Sequence, residues 1–370
     1  MIETGRLRHW LREVLMAANR RPPLDWLVGL ERDQWQSLAA YRGLVHQAFH
    51  SQPLAPQVSA DYWQDGAFTN AKLQKAFFNP AQRERENSSH HYGHDVQLKR
   101  HAGLPLIGPQ LPWVLEHGLK VSRNASFESP KAWMRGYICM GPLRARWLRE
   151  RYGLPAVPIG PWISYARPVL EASAMARLRS QLGPILLVVL AHSWDKVERR
   201  MDLGACIEAV AHLARRGGYR RVIWLRHWKD PELEGLPADW IVACNGHRSN
   251  PWFLDSLRTL IELSDGLASN AFGTHLGYGV ALGRRLHWIP VAVEQDLTCL
   301  SPGKITEEQA EWQERQRLSA ELADRLESAD GDDGMVAVRE LLDPYWGFGA
   351  MKDPVALARV LRGRRLADAG

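Results

Sequence analysis

The sequence predicts an α/β protein built from two Rossmann-like domains facing across a cleft, and three observations predict it. A chain of 370 residues exceeds what one ordinary core covers and suits two domains. Residues 184–191 (PILLVVLA) form a continuous apolar run, as in a strand buried on both faces of a parallel sheet. From there to residue 290, short apolar runs alternate with helical patterns, which is the signature of βαβ units with right-handed crossovers.

The elements follow in order. Residues 112–115 are a short apolar run ending in Glu116-His117-Gly118, residues 131–140 read as a strand or a buried helix, and residues 144–152 read as a strongly basic helix. Pro155, Pro158 and Pro161 then punctuate the chain, and a hinge is expected at 168–182. Further strands are expected at 221–225 (RVIWL), 240–243 (WIVA), 266–268 and 286–290. Between them, residues 202–215 place Leu203, Cys206, Ile207, Val210 and Leu213 on one helical face, with Gly217-Gly218 as the stop. Helices are also expected at 251–263, 275–282, 303–330 and 353–370. The resulting division is a first domain at 1–175, a second at 176–350 and a C-terminal helix at 351–370.

Composition narrows the classes. Apolar residues make up 45% and charged residues 24%, so the chain is globular rather than disordered. Sixteen tryptophans suit core packing, and their rings also suit sugar stacking and membrane interfaces. The net charge of +6 favours an anionic partner: nucleic acid, anionic lipid or a phosphorylated substrate. No basic run is long enough for a nucleic-acid tail, and Arg362, Arg364 and Arg365, interrupted by Gly363, read as a solvated helix end. Cys139, Cys206, Cys244 and Cys299 form no CxxC pair, which argues against a zinc ribbon or a redox motif. Neither a signal peptide nor a run of about 20 apolar residues is seen, so a cytoplasmic location is expected. Residues 5–20 carry Leu7, Trp10, Leu11, Val14 and Leu15 on one face and arginines elsewhere. They read as an amphipathic helix packed on its own domain, or as one lying on anionic lipid at the inner face of the membrane. The polar stretch from Ser88 to Asp95 holds three histidines, but no second ligand cluster follows, so it reads as a cleft-lining loop and not as a metal site.

Parallel sheets bind ligands at the carboxyl ends of their strands, and four groups of polar residues fall there. Ser269, Asn270, Gly273, Thr274 and His275 precede a small-residue helix, where orphan N–H groups and the helix dipole favour phosphate; an ordinary helix cap would look the same. Arg226-His227-Trp228-Lys229-Asp230 offers cations to a leaving phosphate, or is a surface loop with a local ion pair. His192-Ser193-Trp194-Asp195 brings a carboxylate to a strand end, as a nucleophile, a base or a helix cap. Glu116-His117-Gly118 could supply acid/base chemistry from the facing domain.

Taken together, EHG at 116–118, HSWD at 192–195, RHWKD at 226–230, GHRSNPWFL at 246–254 and SLRTLIELSDGLASNAFGTHLGYGVALGRRLHWI at 256–289 resemble glycosyltransferases of bacterial capsule and O-antigen gene clusters. The likeness covers residues of roughly 90–295, and its long last segment is the most specific. The layout is similar to that of the retaining β-Kdo transferases of lipopolysaccharide biosynthesis, which implies a GT-B fold, a CMP-linked acidic sugar as donor and a lipopolysaccharide or capsule glycan as acceptor. The resemblance implies catalytic roles for Asp195, Glu116 and His227. Donor contacts are expected from Ser193, Lys229, Gly246, His247, Ser269, Asn270, Gly273, Thr274 and His275. No metal and no other cofactor is expected, because cations and a helix end can hold the phosphate. On this reading the first domain serves the acceptor and the second the donor, with no nucleic-acid partner. The rival expectations are an inverting transferase using a UDP- or GDP-sugar, a nucleic-acid-binding protein, and a non-catalytic member of an assembly complex.

Overall fold

The computed structural model describes residues 84–105, 110–123, 129–194, 197–227, 230, 235–245, 248, 253–328 and 332–363. The expected N-terminal helix at 5–20 lies outside them, as do Asp195, Lys229, Gly246 and His247.

The first half is a three-stranded parallel sheet of β1 (Trp113–Leu115), β2 (Gly136–Cys139) and β3 (Ala156–Pro158), in the order β1-β2-β3. Residues 131–140, ambiguous between strand and helix, are resolved as β2 by this pairing. A 3-10 helix at Asn87–Gly93 leads into α1 (His94–His101), and α2 (Pro142–Tyr152) joins β2 to β3. Residues 88–95 are thus a tight helical turn and a helix start, where a loop was expected. The backbone at Tyr92 has φ 58, the one left-handed non-glycine residue among the described residues.

The second half is a five-stranded parallel sheet of β4 (Ile185–Val188), β6 (Arg221–Leu225), β7 (Ile241–Ala243), β8 (Gly266–Ser269) and β9 (Arg285–Trp288). Its spatial order is β7-β6-β4-β8-β9. The chain therefore winds outward from β4 in both directions, as in a doubly wound dinucleotide-binding sheet, and the order reverses between β4 and β8. All five strands fall on the apolar runs read from the sequence. Crossovers pass through α4 (Leu203–Arg216), α5 (Phe253–Leu263) and α6 (Thr274–Ala281). Asp202 caps α4 by accepting the N–H of Ala205 at 2.9 Å.

Some features lie outside the sequence expectations. A two-stranded antiparallel ribbon, β5 (Glu198–Arg200) against β10 (Glu294–Asp296), sets Arg199 opposite Gln295. The expected hinge at 168–182 contains a helix, α3 (Ala172–Leu182), so the 175/176 boundary falls inside one element. After α7 (Pro302–Ser328), the chain forms α8 (Asp332–Trp346) and α9 (Pro354–Leu361). These last helices return to the first sheet: the indole of Trp113 in β1 donates to the carbonyl of Val360 at 2.8 Å.

Core packing joins the halves. Trp162 and Trp346 are fully buried, and Trp113, Trp224 and Trp240 are also buried, so these five rings are core residues. Cys139, Cys206 and Cys244 are buried, while Cys299 is exposed. Among the described residues, no helix is long and apolar enough to cross a membrane.

Candidate functional site

A cavity of about 850 Å³ opens at the carboxyl ends of the strands, walled by residues 86–120 from the first half and 189–319 from the second. Its floor is the switch point of the second sheet. There the side-chain oxygen of Asn270, just past β8, accepts the N–H of Ala191, just past β4, at 2.9 Å. The bond closes the gap between diverging strands and leaves both loops facing the cavity.

The donor group expected at 269–275 is assembled here. Helix α6 begins at Thr274 with Gly273 as its N-cap, and no side chain caps its first turn. His275 folds back so that its Nε2 lies 2.8 Å from Ser269 Oγ. Gly273 permits this, because a Cβ there would sit 2.5 Å from the imidazole Cε1. Gly273→Ala is expected to displace the His275 ring from Ser269 while costing little overall stability. The chemical shifts of the His275 ring read the first effect and a urea melt the second. Thr274 Oγ1 accepts the N–H of Leu119 at 3.3 Å, so this hydroxyl also ties the two halves together.

His192 and His227 end the adjacent strands β4 and β6, and their rings stack at 4.1 Å with 9° between planes. The N–H of His227 donates to Asp230 Oδ2 at 2.7 Å. Burial pushes the Asp230 carboxyl up to about 6, against the pull of that N–H and of Arg226. Ser193 Oγ accepts the N–H of Arg199 at 3.0 Å, so Ser193 holds the ribbon strand. Trp194 and Val197, which flank Asp195, bond to each other by paired backbone hydrogen bonds.

Glu116 is placed differently from its expected role. It is buried at 2% exposure, and its Oε2 accepts the N–H of Met140 at 2.8 Å. The cavity wall at this point is its neighbour His117. His117 Nδ1 lies 3.1 Å from His91 Nδ1, and Tyr92 stacks on the His117 ring at 5.4 Å. Glu116 stands behind this wall and acts on Tyr278, whose hydroxyl is raised well above its ordinary range, by burial first and then by the Glu116 charge. Contact with the cavity at this point belongs to His117 and Tyr278.

Sequence reasoning missed Arg199, Trp312 and Arg315, all of which line the cavity. Arg315 in α7 donates to the carbonyls of Phe272 and Leu119 and pairs with Glu311 at 2.9 Å. Glu311 in turn accepts the N–H groups of Val121 and Ser122. Arg199 had one signal, since it lies in the connection after the most apolar strand. Arg315 had none, being one basic residue of a highly charged helix. No cluster of three metal-ligating side chains occurs among the described residues.

Burial holds several histidines neutral. It lowers His192 and His287 to about 4, and His94 and His275 to about 3. Unfolded histidine titrates near 6.5, so from about pH 6.5 downward the unfolded chain takes up protons that the folded chain refuses. Stability is thus lost as pH falls through 6.5 toward 4, whereas Asp230 contributes the opposite sign between 3.8 and about 6. The four histidines outnumber it. The expected slope of unfolding free energy between pH 6.5 and 5 exceeds about 1.4 kcal/mol per pH unit. Urea melts across that range read it, and a flat profile would contradict neutral burial.

No family model and no curated protein sequence matches the chain. Solved structures to which the chain shows similarity include the wall teichoic acid polymerase TagF soaked with CDPG, at 12% identity and a TM-score of 0.36 over 66% of each chain. Phytolacca americana UGT2 with UDP-2-fluoro-glucose and pterostilbene matches at 14% identity and a TM-score of 0.28, over 62% of this chain and 50% of that one. The S. aureus MnaA–UDP co-structure matches at 12% identity and a TM-score of 0.34, over 87% and 92%. The chain thus spans just under two thirds of the TagF structure and half of the UGT2 structure. The α/β arrangement of two parallel sheets across a cleft, expected from the sequence as GT-B-like, rests on the sheet topology itself.

Proposed function

We propose that the chain is a glycosyltransferase that moves a sugar from a nucleotide-activated donor to a glycan or glycolipid acceptor. One observation carries this reading: a single cavity takes in the β4/β8 switch point, the uncapped start of α6 and the facing wall of His91, Tyr92 and His117. A phosphate fits the α6 end through orphan N–H groups and the helix dipole, and an acceptor fits the facing wall.

The donor in this proposal is a CMP-linked acidic sugar such as Kdo, and the acceptor a lipopolysaccharide or capsule glycan. Support comes from the sequence resemblance. Ser269, Asn270, Gly273, Thr274 and His275 would surround the phosphate, with Ser193, Lys229, Gly246 and His247 completing the donor contacts. The transfer is retaining, by two displacements. A carboxylate oxygen of Asp195 attacks the anomeric carbon, the bond from that carbon to the phosphate oxygen breaks, and CMP leaves beside His227. The acceptor hydroxyl oxygen then attacks the same carbon, the ester to Asp195 breaks, and the hydroxyl proton passes to the His117 wall positioned by Glu116. Peripheral contact with an anionic inner-membrane face, through residues 5–20, would bring a lipid-linked acceptor to the cleft.

Thermal shift with CMP, UDP and GDP tests the donor. A ligand at 100 times its Kd stabilises by about 2.7 kcal/mol. Stabilisation by CMP supports the proposal. Stabilisation by UDP or GDP alone points to the inverting rival. Binding of none, with salt-sensitive retention on nucleic acid, would overturn it.

A further inference from the structure

The antiparallel ribbon carries an unbalanced charge. Arg199 sits in β5 opposite Gln295, and its Nε and Nη2 each donate to Gln295 Oε1 at 3.3 Å. Nη1 reaches the carbonyl of His192 at a long 3.5 Å, and the guanidinium lies over the Trp312 ring at 5.1 Å. Each of these partners is neutral. Among the described residues, no carboxylate forms an ion pair with Arg199. Glu308 and Glu311, whose fields reach it, are paired with Lys120 and Arg315. The neighbouring Arg200 differs: it is exposed and paired with Glu198 at 2.9 Å.

The surroundings sharpen the imbalance. Arg199 lines the cavity together with Arg315, His192 and His275, and with the start of α6. Burial and the Arg315 charge lower its guanidinium to about 10, so its charge is held at a cost. A partly buried cation without a counter-charge is stabilised by an anion that enters beside it. The ribbon is also set apart from the core. Its strands Glu198-Arg199-Arg200 and Glu294-Gln295-Asp296 contain no apolar residue, and Ser193 accepts the Arg199 N–H to fix the strand at the end of the β4 loop. What the ribbon delivers to the cavity is therefore the Arg199 side chain.

We propose that Arg199 is an anion-binding residue of the cleft that takes a phosphate oxygen of the donor nucleotide opposite the start of α6, with Gln295 and Trp312 holding its guanidinium in place. The assignment rests on the nucleotide-donor reading for the identity of the anion. The planar guanidinium presents paired N–H donors, a geometry that suits a phosphate better than a point charge does. It also has no proton to exchange with the donor at neutral pH, so its work is binding and charge offset.

Calorimetric titration of the full chain tests this with CMP, UDP, cytidine, inorganic phosphate and free Kdo, on wild type, Arg199→Gln, Arg199→Lys and Arg200→Gln. Arg199→Gln should weaken the nucleotide that wild type binds by about tenfold or more, and should leave cytidine unchanged. Arg199→Lys should retain part of the affinity, and Arg200→Gln all of it. Equal losses for CMP and cytidine would show a merely structural role and overturn the inference. So would an Arg199→Gln variant that keeps full nucleotide affinity, or one that loses only free Kdo, which would move the residue to a sugar carboxylate. The lysine variant guards against a glutamine variant that fails to fold. If wild type binds inorganic phosphate through Arg199 but binds no nucleotide, the donor reading fails and the anion site stands.

Discussion

Trp346→Ala is expected to lower the unfolding free energy by about 3–5 kcal/mol, as for other buried tryptophans cut to alanine. The ring is 0% exposed and lies directly on Gly277 in α6, where a Cβ would come within 2.2 Å of Trp346 Cε2. Its indole N–H donates to the carbonyl of Thr274 at 3.2 Å, and Phe272 and Tyr345 pack on its sides. Truncation therefore leaves a cavity that a rigid helix backbone cannot fill. It also frees the first turn of α6, so on the donor reading proposed above nucleotide affinity should fall together with stability. Gly277→Ala attacks the same contact from the other side and should cost about 1–3 kcal/mol through overpacking. Urea melts give both values. A loss below about 1 kcal/mol for Trp346→Ala would mean that the C-terminal helices do not hold α6.

If the proposed two-displacement transfer from a CMP-sugar holds, Asp195→Asn should lower turnover by roughly 10⁴-fold or more while leaving CMP affinity within about twofold, since the amide would keep the shape and lose the nucleophile. In the two-displacement scheme, Glu116→Gln should slow the second step, because Glu116 positions the wall that receives the acceptor proton. Intact-protein mass spectrometry of the Glu116→Gln variant with CMP-Kdo reads the intermediate directly. An added sugar mass on the peptide containing Asp195 is the expected result. An adduct on another residue, or product of inverted configuration, would sink the scheme and return Asp195 to the part of a base or a helix cap.

The second sheet was legible because its inner strands read as short apolar runs, with β4, buried along its whole length, as the clearest. The strand-end rule then pointed at Asn270, Thr274, His275 and His227, which the fold does bring to the cavity, and at Ser269, which is buried behind it and bonded to His275. The ribbon was not legible. Its strands are charged and polar, and a backbone ladder holds them without a hydrophobic pattern. Helix α8 was not among the expected helices; its Pro344 falls in the last turn, where the helix is about to end. Glu116 shows a different limit. Its place after β1 was readable, but the direction of its carboxylate is set by the N–H of Met140, a residue 24 positions away. The stacking of His192 on His227 depends on β4 and β6 being neighbours, and strand order is a tertiary fact.

The return of α8 and α9 to the first sheet has a mechanical meaning. The described chain passes between the halves twice, once after β3 and again between α7 and α8, and both crossings press on α6. The 3-10 turn at Trp162–Tyr165 touches α6 on the first pass, and Trp346 touches it on the second. Two contacts from opposite ends of the chain clamp one short helix, so its start is held more firmly than the cavity rim at Trp194 and Trp288. On the donor reading proposed above, the phosphate would then meet the stiffest part of the cleft wall.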